Sequence, residues 1–354
     1  MKLLTEKKRV AVIFGGIGPE HSVSVRSAEY FIKNTDKSKY RPIPIYIAKS
    51  GKWTLYPLCD SPKKIELGAA VGIPTYPVRI GCKSGFLLFG RVLTVDGAIP
   101  VLHGVGGEDG SVQGALETAG ISFVGADSAC CALCHNKAYT KTFAEALGIP
   151  TLPWIYTECS DEESDILALM GSAEKKIGYP MFIKPAAQGS SIGCAPARCR
   201  AEFAPAYRLA RRKSDGRVLI EKMLETPKEL EVAYLKTKCN EIFTNPGEIS
   251  YDHGFYSYDE KYSELSEAKV TDTSTLPPEQ TCLVKEYSKA LVSALGIRHL
   301  CRIDYFYSDG KIYFNEINTI PGMTEVSLYP RVIGERGISG AEIVSELIEA
   351  AMPV

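Results

Sequence analysis

The chain has 354 residues, 45% of them hydrophobic and 23% charged, the composition of an ordinary globular protein long enough for two or three domains. With 41 basic and 42 acidic residues the formal net charge is −1, which disfavours nucleic acid or an anionic membrane as partner. The 11 cysteines are odd in number and irregularly spaced, so they read as free thiols of a reducing compartment rather than a disulfide framework.

The opening MKLLTEKKRVAVIFGG has charges before a short apolar run, but the run is too short for a signal peptide and passes directly into glycines. It reads as a buried strand over Arg9–Phe14. A helical pattern follows from about Glu20 to Lys33, Arg41–Ala48 alternates like a second strand, and the apolar run Val95–His103 ends in the loop HGVGGEDG. Strands separated by helical patterns predict a parallel α/β layer. Residues 126–150 are mostly helical, with Ile149-Pro150 as a stop. Cys130, Cys131 and Cys134 lie in this stretch beside His135, and without a partner CxxC pair they read as helix-packed apolar residues.

The middle of the chain offers a short strand PMFIKP (180–185), the small-residue loop AAQGSSIG, a helix near Ala201–Lys213 and a strand RVLIEKML at 217–224. The last part offers the strand ELEVAYL, a Tyr/Asp/Gly-rich loop from 245 to 270, a helix near Pro278–Leu295, and two strands, Leu300–Tyr307 and Lys311–Asn318. A final helix near Gly340–Met352 has one apolar face, and Ser339 with Glu342 has the spacing of a capping box. No stretch is long enough to span a bilayer.

The hairpin near the C-terminus carries the most chemistry. Arg302 and Asp304 share one face of its first strand, and Glu316 and Asn318 share a face of the second. Register decides whether the two faces coincide. A three-residue loop, 309–311, sets Asp304 opposite Glu316, whereas a two-residue loop sets it opposite Asn315. The first is preferred because it gathers all four polar groups. Two carboxylates and an amide oxygen suit hard cations shared with phosphates, above all magnesium. An isolated Asp/Glu pair is more often an ordinary ion pair on a solvated face. Here the sharp turn Thr319-Ile320-Pro321-Gly322 follows, and the Gly322 N–H is placed to line an anion site. Lys184 ends a strand before a loop suited to closing over phosphates, although GxxxxGK[ST] is absent. The run VLIEKML with Glu229 offers backbone to an adenine and a carboxylate to a ribose.

In this order the segments GGIGPEHSVSVRSA (15–28), LHGVGGEDGSVQGALETAGISFVG (102–125), IKPAAQGSSIG (183–193), YSYDEKY (256–262) and RIDYFYSDGKIYFNEINTIPGMTEVSLYP (302–330) resemble the D-alanine–D-alanine ligase family of the ATP-grasp superfamily, including the ligases of vancomycin resistance. The resemblance covers nearly the whole chain. It implies an α/β and α+β protein of three domains: an N-terminal Rossmann-like parallel-sheet substrate domain (1–125), a central ATP-grasp domain (126–226) and a C-terminal catalytic, metal-binding ATP-grasp domain (227–354).

The resemblance also implies roles. Glu20 grips the ammonium of the first amino acid and His103 lies near the substrates. Lys137 and Lys184 contact nucleotide phosphate, although His135-Asn136-Lys137 departs from the family's D-K-x-x-x-K pattern. Ser190 and Ser191 belong to the closing loop, where Gln188 replaces the more usual residue. Glu221, Lys222 and Leu224 form the adenine strand, and Glu229 the ribose contact, with Glu231 as the competing choice. Lys261 and Tyr262 lie in the loop that covers the reaction. Arg302 and the Gly322 N–H stabilise the tetrahedral intermediate, and Asp304, Glu316 and Asn318 hold two Mg²⁺ ions, with Mn²⁺ as substitute. Ser327 and Leu328 shape the second-substrate site. Tyr262 with Leu328 favours D-alanine as acceptor, and Glu325-Val326, unlike the family's usual neighbours, leaves D-serine open. The implied enzyme is a cytoplasmic homodimer that makes D-alanyl-D-alanine for peptidoglycan from ATP and D-alanine. An oxidoreductase is disfavoured because GGIGPE is not GxGxxG and no acidic residue ends the second strand. A different ATP-grasp ligase is disfavoured by the Glu20 and YDEKY motifs, and a non-catalytic module by the intact metal and arginine positions.

Overall fold

A computed structural model describes residues 7–57, 59–250 and 269–352. The first sheet is built on Lys8–Gly15, flanked in parallel by Tyr40–Ile47 and Gly97–Pro100. Beyond Tyr40–Ile47 two short strands, Trp53–Leu55 and Ile73–Pro74, run antiparallel, so only the heart of this sheet has the expected parallel form. From Val10 to Phe14 every residue is buried, because both faces of the sheet are covered. Val10, Val12 and Phe14 face one hydrophobic cluster, while Ala11 and Ile13 face another. A separate antiparallel sheet of three strands follows, Pro77–Ile80, Lys83–Leu88 and Arg91–Thr94.

The middle segment forms a four-stranded antiparallel sheet in the order Ala195–Ala197, Met181–Pro185, Val218–Lys222, Trp154–Thr157. Side chains from the helices Glu163–Lys176 and Arg200–Arg212 share a core with it, including Ile166, Phe203 and Tyr207. A six-stranded antiparallel sheet follows, centred on Lys228–Lys236 and Leu300–Ser308, with the helix Pro278–Leu295 packed on its buried face. Cys130, Cys131 and Cys134 are buried on the helix Ser128–His135 within the same core, next to Cys301, and every cysteine is a free thiol. The final helix, Gly340–Ala351, starts at the Ser339–Glu342 capping box and returns to the first sheet, where Ile343, Val344, Leu347 and Ile348 pack with Val10 and Phe14.

The C-terminal hairpin departs from expectation in an instructive way. Its turn is the two-residue one, Asp309-Gly310, both with positive φ (51° and 74°), because Ser308 pairs with Lys311. That is the backbone a tight hairpin prefers. Taken alone it would set Asp304 against Asn315. Instead the register shifts by one residue between Asp304 and Tyr305, leaving Asn315 as a bulge, and Asp304 pairs with Glu316 after all. The expected pairing holds, but a bulge produces it rather than a longer loop.

Candidate active site

The four-stranded and six-stranded antiparallel sheets and the loops at the carboxyl end of the first sheet enclose a cavity of about 760 Å³. All the site residues expected from the sequence line it, except Lys261 and Tyr262, which fall outside the described residues. The bulge adds Asn315 to the same wall.

On the hairpin, the Arg302 guanidinium meets both oxygens of Asp304 at 2.7 Å and lies 3.3 Å from Glu231. Burial opposes its charge, but Asp304 and Glu231 outweigh burial and raise the Arg302 pKa further. Glu231 is thus committed to Arg302. Glu229, two residues earlier on the strand, also lines the cavity wall. Asn318 Nδ2 donates to Asp304 Oδ2 at 3.0 Å. Oxygen donors from Asp304, Glu316 and Asn318 therefore converge on one surface, a donor set that fits a hard divalent cation.

Facing the hairpin, Lys137 Nζ lies 3.1 Å from Glu316 and donates to the Gln188 carbonyl at 2.6 Å. Burial works against its charge, and the combined pull of Glu316, Cys194 and Glu108 overcomes burial and raises its pKa. Lys184 Nζ lies 2.5 Å from Glu221 and donates to Asn315 Oδ1 at 3.1 Å. After Lys184, the loop puts Ser190 and Ser191 in left-handed backbone (φ 52° and 56°), a strain typical of loops shaped around a ligand.

At the other end, Glu20 sits at the start of the helix His21–Asn34 and is buried. Ser190 Oγ donates to its Oε1, which brings the loop onto the first sheet. Two glycines make room for the carboxylate: a Cβ on Gly104 would come within 1.8 Å of Glu20 Oε2, and one on Gly189 within 2.7 Å of Oε1. Beside it Glu108 is pushed up to about 8 by burial and by the charge of Glu20. Glu108 belongs to the loop GGEDG, whose spacing alone points to no role for it. Lys222 donates to the Tyr179 carbonyl at 2.8 Å, and Thr324 N donates to Ser327 Oγ at 3.1 Å, fixing the turn after Gly322.

His103 is also on the wall. Its Nδ1 donates to the Ile320 carbonyl at 3.1 Å, which leaves Nε2 to accept from Ser27 Oγ at 2.9 Å. A carbonyl accepts only, so this pattern selects the neutral ring with its proton on Nδ1. Burial pushes the pKa down to about 4; the bond to Ile320 opposes this and the Arg302 charge adds to it. Because the folded value lies below the ordinary one, this group's share of stability is complete above about pH 6.5 and is lost as pH falls through about 4, amounting to roughly 3 kcal/mol. Acid unfolding followed by circular dichroism should show that loss, and His103→Asn should remove much of it. An acid limb as steep in the variant would contradict the assignment.

Two sheets closing on a cavity with lysines on one wall and clustered carboxylates on the other define the class: an ATP-grasp ligase, an enzyme that uses ATP to join a carboxylate to an amine. Residues 9–126 match the family model described as D-ala D-ala ligase N-terminus, and residues 143–349 match D-ala D-ala ligase C-terminus. The chain belongs to the D-alanine–D-alanine ligase family. It is 36% identical over 348 residues to the D-alanine–D-alanine ligase of Clostridium novyi, covering 98% of each, and 35% identical to that of Caldicellulosiruptor bescii, covering 98% of this chain and 95% of the other. Among solved structures it resembles the VanG D-Ala:D-Ser ligase of Enterococcus faecalis, with TM-score 0.86, 33% identity and coverage of 98% of this chain and 100% of that one. It also resembles D-alanyl-alanine synthetase A of Vibrio cholerae, with TM-score 0.83, 29% identity and 98% coverage of both.

Proposed function

We propose that this enzyme joins two molecules of D-alanine into D-alanyl-D-alanine through an acyl phosphate. The supporting observation is that one cavity holds a phosphate-facing set (Lys137, Lys184, Asp304, Glu316, Asn318) and an ammonium-facing set (Glu20 with Ser190). A carboxylate does not react with an amine near neutral pH, so the first D-alanine must be activated by phosphorylation. The protein's contribution is alignment and charge neutralisation.

In this reading Glu20 receives the ammonium of the first D-alanine and turns its carboxylate toward the hairpin, with His103 beside the substrates. Lys137 and Lys184 exchange their carboxylate partners for phosphate oxygens. Lys222 and Leu224, with the backbone at Glu221, border the adenine, and Glu229 takes the ribose. Asp304, Glu316 and Asn318 would hold Mg²⁺ or Mn²⁺, which neutralises the phosphoryl charge when bound. Arg302 and the Gly322 N–H face the oxyanion that forms when the second amine attacks. Ser190 and Ser191 cover the site and exclude water that would hydrolyse the acyl phosphate; Lys261 and Tyr262 are assigned to the same cover. Ser327 and the buried Leu328 border the acceptor, and Leu328 suits a methyl group.

We assign three domains, 1–125, 126–226 and 227–354, one to each of the large sheets. We further place the enzyme in the cytoplasm as a homodimer supplying peptidoglycan precursors. The family resemblance supports this, and no helix among the described residues is long and apolar enough to cross a membrane. The likeness to VanG favours a second reading, with D-serine as acceptor. Phosphate release measured with D-alanine alone, or with D-serine or D-lactate added, and the mass of each product, separates the two. D-alanine alone should support ATP-dependent phosphate release and give D-alanyl-D-alanine. A mixed dipeptide formed with far higher kcat/KM would establish the D-serine reading, and no phosphate release with any of them would refute both.

A further inference from the structure

At the lysine-bearing wall lies a buried charge cluster, of which Lys184 and Glu221 line the cavity and Lys141 does not. Lys141, on the helix Lys137–Ala146, is fully buried and lies outside the cavity lining. Its Nζ is 3.1 Å from Glu221 Oε2 and 3.4 Å from the Phe314 carbonyl. The other oxygen of Glu221 is 2.5 Å from Lys184 Nζ. Lys137 and Lys141 are one helical turn apart, so the same helix face serves Glu316 through one lysine and Glu221 through the other. Two cations therefore share one carboxylate, and the cluster keeps a single surplus positive charge.

We propose that Lys141 is a positioning residue for the nucleotide: by neutralising Glu221 it leaves the charge of Lys184 available to phosphate. Without Lys141, Lys184 and Glu221 form a closed neutral pair in a poorly solvated place, and a phosphate can recruit Lys184 only by stripping Glu221 of its sole cation. With Lys141 present, Lys184 turns to the phosphate while Glu221 stays paired. The cluster also separates two functions at Glu221. Its carboxylate serves the lysines, and only its backbone remains for adenine. Burial lowers the Lys141 pKa, the attraction of Glu221 opposes this, and the like charge of Lys184 adds to the lowering, as expected where two cations compete for one anion.

The inference rests on the reading that Lys184 meets phosphate, and its test keeps the two apart. ATP and adenosine binding are measured by calorimetry, with magnesium present, on wild type, Lys141→Met and the double variant Lys141→Met/Glu221→Gln. Wild type should bind ATP far more tightly than adenosine; no such difference would refute the phosphate reading itself. Lys141→Met should lose roughly tenfold in ATP affinity while adenosine affinity stays within about twofold, and in kinetics KM for ATP should rise more than kcat falls. In the double variant Lys184 regains an unshared charge, so ATP affinity should return to near wild type. A merely structural role predicts the opposite, since two core changes should damage more than one. Unchanged ATP affinity in Lys141→Met overturns the inference, as does equal loss for adenosine or a double variant no better than the single. If Lys141→Met does not fold, the double variant decides alone, and failure of both to fold also overturns it.

Discussion

Replacing Arg302 by Met is expected to lower kcat/KM for dipeptide formation by about two to three orders of magnitude, the usual loss when a preorganised oxyanion partner is removed. The geometry explains why so much rests on one side chain. Arg302 grips Asp304 through two nitrogens at 2.7 Å and reaches Glu231 at 3.3 Å, so it orients a proposed metal ligand while lining the proposed reaction site. Arg302→Lys should recover little, because an ammonium is a point charge and cannot hold two carboxylates in a planar fork. Arg302→Met strands two carboxylates that are mostly buried, Asp304 and Glu231, and Arg302→Lys loses the bidentate grip on Asp304. Breaking such a pair costs roughly 3–5 kcal/mol in a dry interior, and the partial exposure of Arg302 places this case toward the lower end. Steady-state phosphate release gives the first effect and thermal unfolding the second. Arg302→Lys is the decisive variant: activity within tenfold of wild type would remove Arg302 from the chemistry, whatever happens to stability.

The same hairpin shows what the sequence reveals and what it hides. Alternation sets Arg302 with Asp304 and Glu316 with Asn318, each pair on one face of its own strand, and the helix from Pro278 to Leu295 is legible because its apolar pattern is long. The bulge at Asn315 is not legible, since Asp309-Gly310 favours a two-residue turn locally while the site needs the other pairing. Contacts from far along the chain meet the bulge: Lys184 donates to Asn315 Oδ1, and Phe314 N donates to the Pro150 carbonyl. Strands of two to six residues between Trp53 and Thr94 are too short and too interrupted by Gly and Pro to show a period. Lys141 carried a signal, its spacing of four from Lys137, but its partner Glu221 is 80 positions away. Glu229 and Glu231 lie on the same side of one strand, and no local rule separates them; only the contact to Arg302 does.

A methyl group at Gly104 tests the other end of the cavity. Gly104 adopts φ +66°, and a Cβ there would lie 1.8 Å from Glu20 Oε2. The conformational strain of Ala in this region is about 1 kcal/mol, which a folded domain survives. The clash is with the tip of a flexible side chain, so the carboxylate yields rather than the backbone. Glu20 then leaves the place where it meets Ser190, and in the proposed placement the ammonium of the first amino acid loses its charged partner. A charge-assisted hydrogen bond is worth roughly 1.5–3 kcal/mol, so KM for the first D-alanine should rise between about ten- and a hundredfold. ATP affinity should be unaffected, since the lysines and the hairpin stand on other elements. Gly189→Ala makes a graded comparison: its Cβ would sit 2.7 Å from Glu20 Oε1 and its φ lies outside the left-handed range, so a smaller rise is expected. The ordering separates a displaced carboxylate from general damage to the loops. If Gly189→Ala were the more harmful, or if both variants weakened ATP binding equally, the glycines would be serving the loop around the nucleotide, and the placement of the first substrate against Glu20 would have to be abandoned.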